Sequence, residues 1–219
     1  MTQIFHPSTN TISRVSIFGA LFFLVGLLIV VYMIFRSPYV TGVNVVLDQP
    51  VPFSHEHHVS ALGLDCRYCH TSVEKSSFAG IPPTETCMTC HSQIWTDSPM
   101  LEPVRTSMRT NTPIRWNRVH DLPDYVFFNH SIHVQKGVGC VSCHGRVDQM
   151  PMTWKAEPMT MEWCLSCHRN PAPHLRPRAA VFLAEWNPRS SESDVTGHGL
   201  IEQHHIEVEQ LTNCSICHR

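Results

Sequence analysis

The apolar residues of the chain are concentrated in one run near the N-terminus. Residues 15–35 read VSIFGALFFLVGLLIVVYMIF, twenty-one residues without a charge, and Arg14 and Arg36 bracket them. A run of this length can cross a bilayer as a helix. Beyond it, periodic apolar runs are few and the chain contains sixteen prolines. This pattern predicts short α-helices joined by long irregular connections, with little sheet.

A cleaved signal peptide is the alternative interpretation of the apolar run. The apolar region of a signal peptide is shorter and ends at a cleavage site of small residues. Here the run continues into the bulky segment YMIFR. We therefore expect an uncleaved transmembrane helix at residues 15–36, which passes the inner (cytoplasmic) membrane once.

All ten cysteines of the chain belong to one repeated motif, C-x-x-C-H, which occurs five times. This motif is the signature of haem c, in which two cysteines form thioethers with the vinyl groups and the histidine ligates the iron. A disulfide framework would not require a histidine after every second cysteine, and zinc sites would use two pairs each and leave one pair over. The sequence therefore predicts five covalently attached haem c groups.

The predicted haem-binding residues follow directly from the motif. The thioether residues are Cys66, Cys69, Cys87, Cys90, Cys140, Cys143, Cys164, Cys167, Cys214 and Cys217. The proximal iron ligands are His70, His91, His144, His168 and His218.

Residues 40–219 provide 180 residues for five haems, or 36 for each. Because so short a chain cannot enclose each haem in its own domain, the haems must pack together and supply much of the apolar core. The expected fold is a mainly irregular, haem-packed domain with short α-helices, carried on a single N-terminal transmembrane helix. Bacteria attach haem c outside the cytoplasmic membrane, so we expect residues 40–219 on the periplasmic side and residues 1–14 in the cytoplasm.

An internal repeat divides the haem domain. FSHEHHV at residues 53–59 matches FNHSIHV at residues 128–134, and each copy precedes two haem motifs. The repeat predicts dihaem units at about residues 53–91 and 128–168, joined by a proline-rich linker at residues 92–126. After an irregular stretch at 170–197, the fifth haem is expected at residues 198–219.

The F-x-H-x-x-H element ahead of C-x-x-C-H resembles that of the class III multihaem cytochromes c. The resemblance implies that every iron has two histidine ligands and that the two histidines of one element serve different haems. It makes His55, His58, His130 and His133 distal ligands of four irons. His57 breaks the pattern and is interpreted as a surface residue.

The fifth distal ligand is left open by the sequence. His120, just before the second unit, is the first choice, and capping of the following turn is its alternative role. His204 and His205, on a helix-like segment at residues 200–211, could reach the terminal haem. Met150 is the candidate thioether ligand and would raise the reduction potential of its haem. Filled iron coordination indicates electron transfer rather than catalysis at the haems.

A closer resemblance covers most of the chain. The single anchor, the paired dihaem units, WNRVHDLPDY at residues 116–125 and TMEWCLSCH at residues 160–168 are similar to the pentahaem cytochrome c subunits of alternative complex III. The resemblance implies an electron-transfer subunit, not itself an enzyme, of a quinol:electron acceptor oxidoreductase. Its implied partners are integral-membrane quinol-oxidising subunits, an iron–sulfur molybdopterin-like subunit and a monohaem cytochrome c subunit, with a periplasmic acceptor or a terminal oxidase receiving the electrons.

The alternative function is a stand-alone, membrane-anchored multihaem quinol dehydrogenase that feeds a periplasmic reductase. Such proteins also have one N-terminal helix, but they lack the long repeat and the fifth haem. The net charge of −2 and the lack of a basic block give no indication of a nucleic-acid partner.

Overall fold

The structure, a computed structural model, describes residues 4–186 and 197–218. It separates into two units, Met1–Val43 and Asn44–Arg219. The α-helices are Ser8–Arg36, Pro38–Thr41, Cys66–Cys69, Thr84–His91, Glu102–Thr110, His130–Gln135, Val141–His144, Met161–Arg169, Gly197–Gln203 and Cys214–Cys217. A π-helix spans Glu56–Ala61, and 3-10 turns lie at Pro99–Leu101, Val147–Gln149, Ala172–His174, Arg178–Ala180 and Val208–Gln210.

Extended pairing in the described residues is limited to isolated antiparallel bridges. These bridges are Val46 with Trp154, Val126 with His218 and Val138 with Leu175. The prediction of short helices, irregular connections and little sheet is therefore confirmed.

The helix Ser8–Arg36 contains the apolar run. Its 29 residues correspond to a length of about 44 Å, more than the roughly 30 Å of a bilayer core. The helix begins seven residues before the predicted start at residue 15, because residues 8–14, which are polar apart from Ile12, belong to it as well. It is long and apolar enough to span a membrane, a test that an N-terminal signal sequence also meets.

The stretch that the sequence indicates as a linker forms part of the core. Within it, the helix Glu102–Thr110 begins with Pro103 in its first turn, where a missing N–H costs nothing. Val104 and Leu101 pack with Val51 in a buried apolar cluster, and Cys87 and Met88 of a haem motif, Ile114 and Trp116 pack against that cluster. The linker thus supports the second haem motif.

The two dihaem units exchange backbone hydrogen bonds. At the start of the first unit, Glu56 N–H donates to Met150 O at 3.1 Å. At the equivalent position of the second unit, Ser131 N–H donates to Ser76 O at 3.1 Å. Each unit therefore holds the histidine-bearing turn of the other, which explains how so irregular a chain keeps its histidines in place.

Buried apolar side chains are few in the described part of the haem domain. They are Val51, Val73, Leu101, Val104, Met150, Ala172, Leu175, Ala180, Val181 and Leu200. Most are small, and several line the segment that follows the second unit. This small protein core agrees with the expectation that bound haems supply much of the apolar interior.

Candidate haem-binding sites

Each C-x-x-C-H motif contains a short helical turn. Three of these turns are helices of four residues, Cys66–Cys69, Val141–His144 and Cys214–Cys217. The other two motifs lie in the longer helices Thr84–His91 and Met161–Arg169. Residues three apart on a helix share one face, so both cysteines of a motif point to the same side, with the histidine directly after them. None of the ten cysteines, all of which lie in the described residues, forms a disulfide.

A phenylalanine holds the two histidines of each F-x-H-x-x-H element. The Phe128 ring meets His130 edge-on, with centroids 4.8 Å apart, and stacks on His133 at 4.6 Å. Phe53 repeats both contacts with His55 and His58, at 4.9 and 4.4 Å. The phenylalanine thus fixes the angle between two imidazoles that face different motifs.

Three histidine pairs face each other across a gap of nearly constant width. The ring centroids are 6.2 Å apart in His58–His91, 6.3 Å in His130–His144 and 6.2 Å in His133–His168. Two metal–nitrogen bonds of about 2 Å, plus the distance from each nitrogen to its ring centre, come to roughly 6 Å. The gap therefore fits one iron with an imidazole on each side.

The pairing follows the repeat. In the second unit, His130 faces the first motif of that unit and His133 faces the second one. In the first unit, His58 likewise faces the second motif, and His55 interacts electrostatically with His70 of the first motif. The same rule in both units supports the expectation that the two histidines of one element serve different haems.

The Nδ1 atom of every predicted histidine ligand except His120 has a hydrogen-bond partner. Seven partners are backbone carbonyls: Ser54 for His58, Gly80 for His70, Ile94 for His91, Ser77 for His130, Asn129 for His133, Leu211 for His168 and Tyr125 for His218. His55 uses the Thr153 hydroxyl, and His144 uses the Nε2 atom of His120. An imidazole that donates from Nδ1 presents the lone pair of Nε2 to a metal.

Burial keeps several of these imidazoles uncharged. It lowers the pKa of His55 to about 4 and that of His144 to about 3, and neighbouring histidines act in the same direction. Both rings are therefore neutral at pH 7, the form that ligates a metal.

Two comparisons with known proteins indicate a cytochrome c. The sequence profile of the family described as cytochrome c7 and related cytochrome c matches residues 126–219, the part with the second dihaem unit and the terminal motif. The chain contains a multihaem cytochrome c domain. A protein of Nitratidesulfovibrio vulgaris (Hildenborough), named menaquinone reductase, multiheme cytochrome c subunit, is 27% identical over 186 residues, which are 78% of this chain and 77% of that protein.

A cytochrome c domain implies covalently bound haem and a role in electron transport. The five cysteine pairs are consistent with five such sites. The pairing of particular histidines as axial ligands remains a prediction, which the spacing of the facing rings supports.

Cysteines of different haem motifs are neighbours in space, and the neighbouring motifs do not follow the chain order. The neighbouring pairs are Cys87 with Cys69, Cys66 with Cys140, Cys143 with Cys167, and Cys164 with Cys217. Counted along the chain, these pairs link the second motif to the first, the first to the third, the third to the fourth and the fourth to the fifth.

The fifth motif is attached to the segment just before the second unit. Val126 pairs with His218 in a bridge, and Phe127 N–H donates to Cys217 O at 2.6 Å. The Tyr125 ring stacks on His218 with centroids 6.0 Å apart. The C-terminal segment with the fifth motif thus packs against the beginning of the second dihaem unit.

The four candidates for the fifth distal ligand lie in different surroundings. His120 lies against His144 of the third motif. His204 is buried, with its Nε2 atom 3.3 Å from Arg176 O, and His205 is exposed. Met150 is 2% exposed and packs beside Gly145. The choice among them stays a prediction.

Some site residues have no clear signal in the sequence. Thr153 and Ser77 orient His55 and His130 across 98 and 53 residues of chain. Neither lies in a motif, and only the reciprocal contact of the two units brings them to the histidines. The phenylalanines are visible in the repeat, but their contacts with two rings at once are not.

Proposed function

We propose that this chain is a membrane-anchored pentahaem cytochrome c that carries electrons between a quinol-oxidising complex and a periplasmic acceptor or terminal oxidase. The observation that supports the proposal is that neighbouring cysteines link the five motifs one after another. Haem c, when bound, supplies an iron that takes up and releases one electron. In this proposal the five sites lie side by side in one row. At the three sites with facing histidine pairs, a second imidazole would close the axial position to substrates.

The two ends of the row are the second and fifth motifs. The second motif lies in Thr84–His91 beside the half-exposed Trp95, which stacks on His57. The fifth motif contains the exposed Cys214 and Ile216. Oxidation of one quinol at a partner subunit releases two electrons and two protons, and the electrons would enter the row singly at one end and leave at the other.

The proposed partners follow from the resemblance to alternative complex III. They are integral-membrane quinol-oxidising subunits, an iron–sulfur molybdopterin-like subunit and a monohaem cytochrome c subunit. The helix Ser8–Arg36 would anchor the chain beside them, with residues 40–219 on the periplasmic side. The relative's name, which describes a subunit of a menaquinone reductase, supports a place in a quinone-linked complex.

Mild detergent extraction followed by identification of the co-purifying proteins tests the proposal. Recovery with a polytopic membrane protein and a molybdopterin-like iron–sulfur protein is expected. Recovery with a periplasmic reductase alone would contradict it. Purified by itself, the cytochrome should not be reduced by menaquinol, and full reduction of its haems without a partner would favour the stand-alone quinol dehydrogenase.

A second candidate function has electrons moving in the opposite direction. The name menaquinone reductase describes reduction of menaquinone, and a row of haems conducts either way. The intact complex decides between the two. Rapid haem reduction by menaquinol supports quinol oxidation, whereas menaquinone reduction by a reduced periplasmic cytochrome, without the reverse reaction, supports the second candidate.

A further inference from the structure

The third motif differs from the other four in the partner of its histidine. The Nδ1 atoms of His70, His91, His168 and His218 meet backbone carbonyls. His144 instead meets an imidazole, with its Nδ1 atom 3.3 Å from the Nε2 atom of His120. The two rings lie 4.4 Å apart at an angle of 76°, so the ring edge of one points at the other.

The opposite side of His144 faces His130. These two rings are nearly parallel, at 7°, with centroids 6.3 Å apart. With Nε2 of His144 as the iron ligand, the proton of this ring would lie on Nδ1, and Nδ1 would donate to Nε2 of His120. His120 thus stands behind the ligand, on the side away from the gap.

His120 is held in place by contacts independent of the third motif. Three residues upstream, the backbone N–H of Asn117 donates to Gln49 Oε1 at 2.9 Å, and the Asn117 side chain donates to Asp48 O at 2.6 Å. Trp116 packs on the apolar cluster around Val104. The imidazole is therefore presented to His144 by an anchored segment rather than by a free loop.

We propose that His120 is a positioning residue for the third haem site, which fixes the orientation of His144 and lowers the reduction potential of that site alone. A ring nitrogen is a more basic acceptor than a carbonyl oxygen. A stronger hydrogen bond at Nδ1 makes the ligand more basic, and a more basic ligand favours the oxidised iron. The inference rests on the proposed pair His130–His144.

Redox titration of the full-length pentahaem protein tests this role, with absorption and paramagnetic resonance spectra as readouts. In His120→Leu, all haems should stay low-spin, and one of them should become easier to reduce. The expected change in its ratio of reduced to oxidised form is about tenfold, equal to about 59 mV for a one-electron couple. His120→Gln keeps a weaker acceptor and should show a smaller shift in the same direction.

Asp121→Asn is the matched control, because it changes an exposed neighbour on the same segment and should leave all potentials unchanged. Unchanged potentials in His120→Leu would overturn the proposal. A high-spin, carbon monoxide-binding haem in that variant would also overturn it, since it would make His120 an axial ligand. If His120→Leu does not incorporate five haems, His120→Gln decides, and unchanged potentials in it refute the role.

A separate variant distinguishes failure of this inference from failure of the ligand assignment. His130→Ala should open the third site and give one haem that binds carbon monoxide. If it does not, the pair His130–His144 is wrong, whatever the His120 variants show.

Discussion

At the scale of single residues, the phenylalanine of each F-x-H-x-x-H element explains the spacing of its histidines. One aromatic ring can contact imidazoles one turn apart, edge-on at the first and face-on at the second, as Phe53 and Phe128 do. Backbone carbonyls four residues back, Ser54 and Asn129, then orient the second histidine of each copy. Residues close in sequence are thus sufficient to orient the ring of that histidine.

Replacement of Phe128 by alanine should loosen both His130 and His133. We expect the free energy of unfolding to fall by about 1–3 kcal/mol, because ring contacts and packing are lost. Thermal or denaturant unfolding measures this change, and the spectra of two haems should broaden. Ile132→Ala, at an exposed position between the two histidines, should have little effect. Equal losses in both variants would contradict the role of the ring.

Adjacent histidines allow a matched test of axial ligation. His58 faces His91 across the 6.2 Å gap, whereas His57 is exposed and stacks on Trp95. His58→Ala should leave one of the five irons with an open position, which carbon monoxide difference spectra detect. The His57→Ala variant should bind no carbon monoxide. Carbon monoxide binding in the His57 variant but not in the His58 variant would show that the assignment is reversed.

At the scale of elements, Asp148 joins the two dihaem units, mainly through its backbone carbonyl. Asp148, 5% exposed, accepts two hydrogen bonds from Arg146 at 2.9 and 2.8 Å. Its backbone carbonyl accepts a third from Ser60 of the π-helix at 2.5 Å. The turn Val147–Gln149 is thereby fixed against Glu56–Ala61, the element that carries His58.

Asp148→Asn should reduce the free energy of unfolding by about 1–3 kcal/mol at pH 7. Hydrogen bonds from Arg146 hold the pKa of Asp148 below its ordinary value. The ionised carboxylate therefore stabilises the fold above that ordinary pKa, and this contribution disappears as the pH falls through the lowered pKa. Denaturant unfolding measures the free energy of unfolding of the variant and of the unmodified protein. The difference between these two values should be smaller in acid than at pH 7.

The matched control for this prediction is Asp121→Asn, which removes an exposed ion pair with Arg118 and should change stability by less than about 1 kcal/mol. A difference between Asp148→Asn and the unmodified protein that grows in acid would contradict the sign of the effect.

The helices and turns also show how much of the fold can be predicted from the sequence. Motif spacing predicts the haem-bearing turns, and the repeat predicts the two units, because covalent attachment and axial ligation need fixed local distances. The helix Glu102–Thr110 was missed, since prolines around it indicated a linker. The helix-like segment at residues 200–211 is divided, because His205 adopts a left-handed conformation, φ 50°, after Gly197–Gln203. Tertiary contacts determine where such helices begin and end, and a local sequence pattern carries no information about these contacts.

At the scale of the whole molecule, the chain combines an apolar helix with five C-x-x-C-H motifs. The helix Ser8–Arg36 has no buried residue, so a protein that retains this helix must cover its apolar surface with a membrane or with partner helices. In the proposed function, a row that begins at the second motif and ends at the fifth would give the protein two separate contact points for electron partners.

Retention of the helix is tested by washing membranes with alkaline carbonate and measuring the mass of the extracted protein. We expect the pentahaem protein to stay in the membrane and to include residues 8–36, because a helix of this length inserts stably. Release of a shorter protein that lacks this segment would show that it is a signal sequence.

The count of covalent haems tests the central claim most directly. Intact-mass spectrometry of the denatured protein, after removal of any non-covalently bound haem, should show one polypeptide carrying five haem additions. Four or fewer additions in fully matured protein would contradict the assignment of all ten cysteines to haem.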